Sequence, residues 1–151
     1  MKNYSTEQIR NIALVGNSGS GKTILAESML QIGGVINRKG DIASKNTVSD
    51  YRPIEQENGN SLFSTVMYTE INNTKINILD NPGMDDFIGN LVSSLFPADI
   101  ALMLINSANC VEVGTEIHGR YVDKAGKPMI IAMNHLDHEK SNYEKVIEQL
   151  K

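Results

Sequence analysis

Gly16-Asn17-Ser18-Gly19-Ser20-Gly21-Lys22-Thr23 is the stretch that decides the fold of this chain. It satisfies the pattern G-x-x-x-x-G-K-[ST] at every fixed position. An apolar run, Ile12-Ala13-Leu14-Val15, precedes it, and Ile24, Leu25, Met29, Leu30 and Ile32 follow at helical spacing. Strand, glycine-rich turn and helix form the context in which this pattern binds phosphate. Successive backbone N–H groups converge into an anion-binding nest, and the helix N-terminus adds its partial positive charge. In this reading Lys22 reaches the β- and γ-phosphates and the Thr23 hydroxyl binds Mg2+.

Composition narrows the function classes. The chain has 151 residues, a net charge of −4, 40% hydrophobic content and one cysteine. That suits one domain able to bury a sizeable core. An acidic balance argues against bulk electrostatic binding of nucleic acid. The single Cys110 excludes an internal disulfide and fits a reducing cytoplasm, where it reads as a small buried residue. The sequence has no apolar run of membrane-spanning length and no secretion signal.

Outward from the phosphate loop, the apolar runs alternate between strand and helix. The expected elements are a strand at 11–15, a helix at 22–33, strands at 62–71 and 75–79 joined by the Asn72-Asn73 turn, and a helix near 86–96 stopped by Pro97. A buried strand at 100–105, a helix at 114–125 closed by Gly126, and a second buried strand at 129–133 follow. Ser141 and Glu144 form a capping box opening a last helix with Tyr143, Val146, Ile147 and Leu150 on one face. Residues 37–60 are polar and weakly periodic, too long for an ordinary connection, and so functional or mobile. The pattern specifies an α/β fold, a mostly parallel sheet with helices on both faces, with ligands at the carboxyl ends of the strands.

Two more motifs fall at such ends. Asp80-Asn81-Pro82-Gly83 offers a carboxylate to hold Mg2+ and, at Gly83, an N–H that a phosphate can approach closely. Asn134-His135-Leu136-Asp137 suits guanine. The Asp137 carboxylate can accept from both N1–H and the exocyclic amine, a donor pair that adenine lacks, and the Asn134 amide can donate to the ring's acceptor edge.

These three motifs, with Arg10-Asn11-Ile12-Ala13, Gly34-Val35-Ile36-Asn37-Arg38, Asn46-Thr47-Val48-Ser49-Asp50-Tyr51 and Val111-Glu112-Val113-Gly114-Thr115-Glu116, resemble the N-terminal G domain of translation elongation factor G. The resemblance runs from about Ile9 to Asp137, and ribosome-protection proteins share the same architecture. It implies a Ras-like phosphate-loop NTPase fold that binds GTP or GDP with Mg2+ and acts with the ribosome in the cytoplasm during translocation. It also implies that 37–61 is switch I and 80–86 is switch II, loops that order around the γ-phosphate and relax after hydrolysis. By the family pattern, residues 1–151 form the N-terminal part of a G domain, ending before its last strand and helix, and further domains would follow.

The chain departs from the family at several points. Asn58-Gly59-Asn60-Ser61 stands where the family has Arg-Gly-Ile-Thr. Ser61 keeps the hydroxyl that the resemblance assigns to Mg2+, while Asn60 replaces an apolar residue. Met84 stands at the place of the histidine that positions the attacking water. A thioether is a weak acceptor and neither an acid nor a base at neutral pH. His135 replaces the guanine-motif lysine, and Asn17-Ser18-Gly19-Ser20 replaces His-Ile-Asp-Ala, which removes an aspartate able to help bind a monovalent cation. Two function classes follow: an enzyme hydrolysing GTP on the ribosome, with Asp85 or Asp86 orienting water, or a GTP-gated ribosome ligand whose hydrolysis is weak or lost. Met84 favours the second. A small-molecule ATP-using kinase is disfavoured by Asp137. Asp41 and Asp50 read as solvated loop residues, His118 as a surface or helix-packing residue, and the methionines at 67, 103, 129 and 133 as core filling.

Overall fold

The computed structural model describes residues 2–151. Its five strands are β1 (Ile9–Val15), β2 (Thr65–Ile71), β3 (Thr74–Asp80), β4 (Ile100–Asn106) and β5 (Met129–Asn134). They lie in the order β2-β3-β1-β4-β5. β2 and β3 are antiparallel across the Asn72-Asn73 turn, where both residues have positive φ, and the remaining pairs are parallel. Five helices accompany them: α1 (Lys22–Ile32), α2 (Pro53–Asn58), α3 (Ile88–Leu95), α4 (Val113–Lys124) and α5 (Tyr143–Gln149).

The alternation of strand side chains divides the core in two. Ala13 and Val15 of β1 join Ala101, Met103 and Ile105 of β4 under α3, α4 and α5, through Leu91, Leu95, Val122 and Val146. Leu14 and Leu104 point the other way and pack with Ile78 and Met67 against Ala26 and Leu30 of α1. Both faces of the central strands are therefore covered, which is why their sequences read as unbroken apolar runs. Cys110 is buried. Among the described residues no helix is long and apolar enough to cross a membrane.

Four expectations need correction. β5 is not a buried strand: Ile130 is 56% exposed, and Met129 and Ile131 are exposed too. Its apolar residues match those of β4, but it lies at the sheet edge with a neighbour on one side only. The polar stretch 37–60 contains a helix, α2, which has Pro53 in its first turn and ends at Gly59 in the left-handed conformation. The strand expected from residue 62 begins at Thr65, because the N–H groups of Leu62 and Phe63 donate to the Glu55 carboxylate instead of to a neighbouring strand. At α5 the cap is Asn142, whose side chain accepts from Lys145 N at 2.9 Å. Ser141 bonds to Ser107 instead. Of the last helix's apolar residues, Val146 is buried, whereas Tyr143 and Leu150 are exposed.

Candidate functional site

The parallel strands deliver the three motifs to one end of the sheet. The phosphate loop follows β1, Asp80 ends β3, and Asn134 ends β5. The loop turns through Gly16, Gly19 and Gly21, all at positive φ. At Gly21 (φ 94) a side chain would be strained, and a Cβ would also strike the Asn134 amide. That contact joins the two motifs: Asn134 Nδ2 donates to Ser20 O at 3.1 Å. Asn134 is held in turn by Ser107, whose N–H and hydroxyl both donate to Asn134 O. The His135 ring lies on the cleft wall and its Nε2 is buried without a partner, while Asp137 is exposed in the following turn.

Lys22 opens α1 and is nearly buried; its Nζ donates to Gly16 O at 2.8 Å and Asn17 O at 2.9 Å. Burial lowers its pKa to about 8, against the opposing pull of Asp80 and Asp50. Thr23 Oγ1 donates to Asp80 Oδ2 at 2.9 Å and lies 3.2 Å from Ser61 Oγ. Asp80 is wholly buried, and burial pushes its pKa up to about 6, against the Ser49 hydrogen bond, Lys22 and Thr23. Its Oδ1 has no hydrogen-bond partner. Asp50, read from the sequence as solvated, is only 5% exposed; its Oδ1 is also unpartnered and burial raises its pKa. The loop places it there because Thr47 and Ser49 on either side are themselves buried.

Two orphaned carboxylate oxygens beside two hydroxyls, all oxygen ligands, form a donor set that suits a hard divalent cation such as Mg2+. Gly83 closes the cleft from above. A Cβ there would strike Lys22 Nζ and lie 2.6 Å from Ser18 N and 2.7 Å from Asn17 C, so the segment after β3 reaches the glycine-rich loop only because this residue has no side chain. The cleft, about 170 Å³, is lined by Ser18, Gly19, Lys22, Thr23, Asn60, Ser61 and Gly83 among others, and not by Met84, which is 37% exposed. A larger apolar groove of 440 Å³ near Leu95, Phe96 and Tyr121 lies between α3 and α4, away from every phosphate-binding group.

Sequence reasoning missed several contributors. His118 is fully buried, and its Nδ1 accepts the Gly16 N–H at 2.9 Å. Ser49 Oγ donates to Asp80 Oδ2 at 2.6 Å. Glu27 and Glu55 are buried carboxylates; Glu27 accepts the backbone N–H groups of Gly40 and Val48, and Glu55 those of Leu62 and Phe63. None belongs to a motif; each acts on a partner between 7 and 102 positions away, a pairing that local spacing cannot reveal.

Comparison with known proteins agrees with this geometry. The family described as Elongation factor Tu GTP binding domain matches residues 7–151. An elongation factor G-like protein of Thermotoga maritima is 32% identical over 145 residues, 96% of this chain and 20% of the relative. Peptide chain release factor 3 of Lactobacillus helveticus is 37% identical over 134 residues, 86% of this chain and 26% of the relative. The chain thus spans about a fifth to a quarter of the length of these curated relatives. A crystal structure of a Thermus thermophilus protein superposes with a TM-score of 0.90 at 32% identity, over 95% of this chain and 22% of that one. Translation elongation factor SelB of Methanococcus maripaludis, solved with a GTP analogue, shares the fold at a TM-score of 0.67 and 18% identity, over 93% of this chain and 25% of that one.

Proposed function

This chain belongs to the elongation factor Tu GTP-binding domain family, and on that premise we propose that it is the nucleotide-binding part of an elongation factor G-like translation factor whose GTP hydrolysis is weak or lost. The observation that carries the binding reading is the meeting of Lys22, Thr23 and Asp50 in one cleft beneath the glycine-rich loop, with Asp80 buried behind Thr23 and its Oδ1 unpartnered. Loop N–H groups and Lys22 would hold the β- and γ-phosphates, and Gly83 N–H would meet the γ-phosphate. Thr23, Ser61, Asp80 and Asp50 would hold Mg2+, which supplies positive charge between the phosphates. Asn134, His135 and Asp137 would read guanine.

The same reading makes residues 37–61 switch I and 80–86 switch II. It makes the ribosome the partner and the cytoplasm the setting, within a protein that continues into further domains. Hydrolysis is expected to be weak because the position after Gly83 carries a thioether that does not line the cleft and is a poor group for orienting water. A second reading, a fully active GTPase, needs another group to orient water: Asp85 Oδ1 and Asn17 Oδ1 both approach Gly114 on the flank of the glycine-rich loop, but Asp85, like Met84, does not line the cleft.

Fluorescent GDP titrated with and without Mg2+, in competition with ATP, tests the binding reading. Mg2+-dependent GDP binding that ATP does not displace supports it; equal competition by ATP overturns it. GTP turnover with and without ribosomes separates the two catalytic readings.

A further inference from the structure

Switch I is attached to the rest of the molecule by buried bonds that involve no nucleotide. Glu27 of α1 is buried, and its carboxylate accepts the N–H groups of Gly40 and Val48. Ser49 is 1% exposed; its hydroxyl donates to Asp80 Oδ2 at 2.6 Å, and its carbonyl accepts from Thr65 Oγ1 at 3.1 Å. Glu55 is buried and takes the N–H groups of Leu62 and Phe63 on one oxygen. Arg52 lies between the rings of Tyr51 and Phe63, at 4.6 and 4.5 Å. Beyond α2 the character changes. Asn58, Gly59 and Asn60 are exposed, and the side chains of residues 60 and 61 reach the phosphate loop and α1 through only two longer contacts, Ser18–Asn60 and Thr23–Ser61, each 3.2 Å.

We propose that switch I is divided, with Ser49 as the positioning residue that pins the backbone of residues 47–55 to Asp80, so that Asp50 meets the metal from a backbone already in place and only the backbone of the rim at 58–61 rearranges with the nucleotide. The physical ground is the asymmetry of burial. Breaking the Ser49–Asp80 bond would strand the Ser49 hydroxyl away from water and leave Asp80 Oδ2 with Thr23 as its one donor, whereas the exposed Ser18–Asn60 contact exchanges readily for water. Ser49 also frees Thr23: when the Thr23 hydroxyl turns to a ligand, Asp80 Oδ2 keeps one donor. The anchor stands on its own, while its meaning as half of a switch rests on the nucleotide-binding reading above.

Hydrogen exchange on the intact chain, first without nucleotide and Mg2+, then with GDP, then with a non-hydrolysable GTP analogue, tests the division. Protection at 47–52 in the unliganded chain, with nucleotide-dependent changes confined to 58–61, is the expected result. Ser49→Ala should speed exchange at 47–52 at least about tenfold, and Thr65→Val, which removes the bond to Ser49 O without touching Asp80, should do so to a lesser degree. Circular dichroism confirms that each variant is folded, and the Thr65→Val result carries the test if Ser49→Ala does not fold. Exchange at 47–52 as fast as at 58–61 in the unliganded chain overturns the proposal. So does unchanged exchange in a folded Ser49→Ala. Failure to bind GDP while 47–52 stays protected would sink the nucleotide reading and leave the anchor standing.

Discussion

The Nδ1 atom of His118, on α4, accepts the backbone N–H of Gly16, the first residue of the phosphate loop, at 2.9 Å. The bond fixes the tautomer: the proton must sit on Nε2, which is buried and unpartnered. It also ties down one side of Gly16, whose own carbonyl, in the next peptide unit, accepts from Lys22 Nζ. One imidazole from a distant helix thereby holds the residue against which Lys22 is parked.

Protonating His118 would turn this bond into a clash of two N–H groups inside the protein. Burial, reinforced by the Lys22 charge, lowers its pKa to about 4. The unfolded chain, with a histidine pKa near 6.5, binds the proton more readily, so His118 destabilises the fold as pH falls from about 6.5 to 4, by about 3 kcal/mol when complete. Asp80 opposes this: its raised pKa, about 6, makes the native state bind protons more readily between about 4 and 6. Chemical denaturation of wild type and His118→Gln across this range isolates the histidine. The gap between the two should move in favour of the variant as pH falls, and a gap independent of pH would contradict the assignment.

Lys22 carries a pKa near 8 before phosphate arrives. Binding a phosphate favours the charged amine, so above about pH 8 binding takes up a proton and affinity falls as pH rises. GDP titrations from pH 7 to 9.5 should show that decline. Lys22→Ala should lose at least about a hundredfold in affinity, since a buried charge-assisted contact is removed.

Gly83→Ala would drive a methyl group into Lys22 Nζ and Ser18 N. The segment after β3 must retreat, and on the proposed reading the γ-phosphate would lose the Gly83 N–H. Affinity for a GTP analogue should fall at least about tenfold while GDP affinity changes much less, because only the γ-phosphate meets this residue. Equal losses for both nucleotides would place Gly83 elsewhere.

Glu55→Ala leaves the N–H groups of Leu62 and Phe63 without their acceptor and removes the carboxylate that faces Arg52 at 3.5 Å. The expected loss is about 2 kcal/mol of unfolding free energy, read by denaturant titration. Glu55→Gln, which keeps an acceptor oxygen, should recover most of it.

Met84→His places an imidazole, able to orient water, at the residue after Gly83. On the proposed reading, ribosome-stimulated GTP turnover rises at least about tenfold over wild type. Brisk wild-type turnover that the histidine leaves unchanged would favour the Asp85 reading instead.

The three motifs stand out in the sequence because each occupies a short contiguous stretch whose proposed job falls to backbone geometry or to one side chain at a strand end. Gly16–Thr23, Asp80–Gly83 and Asn134–Asp137 all read in that way, and a parallel sheet then had to deliver them to one edge. The central strands were legible for a related reason: a strand covered on both faces is apolar throughout, as in Ile100–Ile105. The same rule failed at Met129–Met133, since composition does not say how many neighbours a strand has. It failed again at Asp50 and Glu55, whose charged side chains in a polar loop give no local sign that they are buried.

What the sequence by itself determined, then, is the alternation of strands and helices outside the polar stretch 37–60, with the glycine-rich loop and the two motifs that accompany it, because these depend on local periodicity and on glycine at fixed positions. Only the tertiary structure decided which polar groups support them. His118 against Gly16, Ser49 against Asp80, Glu27 against the backbone of Gly40 and Glu55 against that of Leu62 are pairings between separate segments. Each exists because a buried donor or acceptor must find a partner wherever the folded chain brings one within reach.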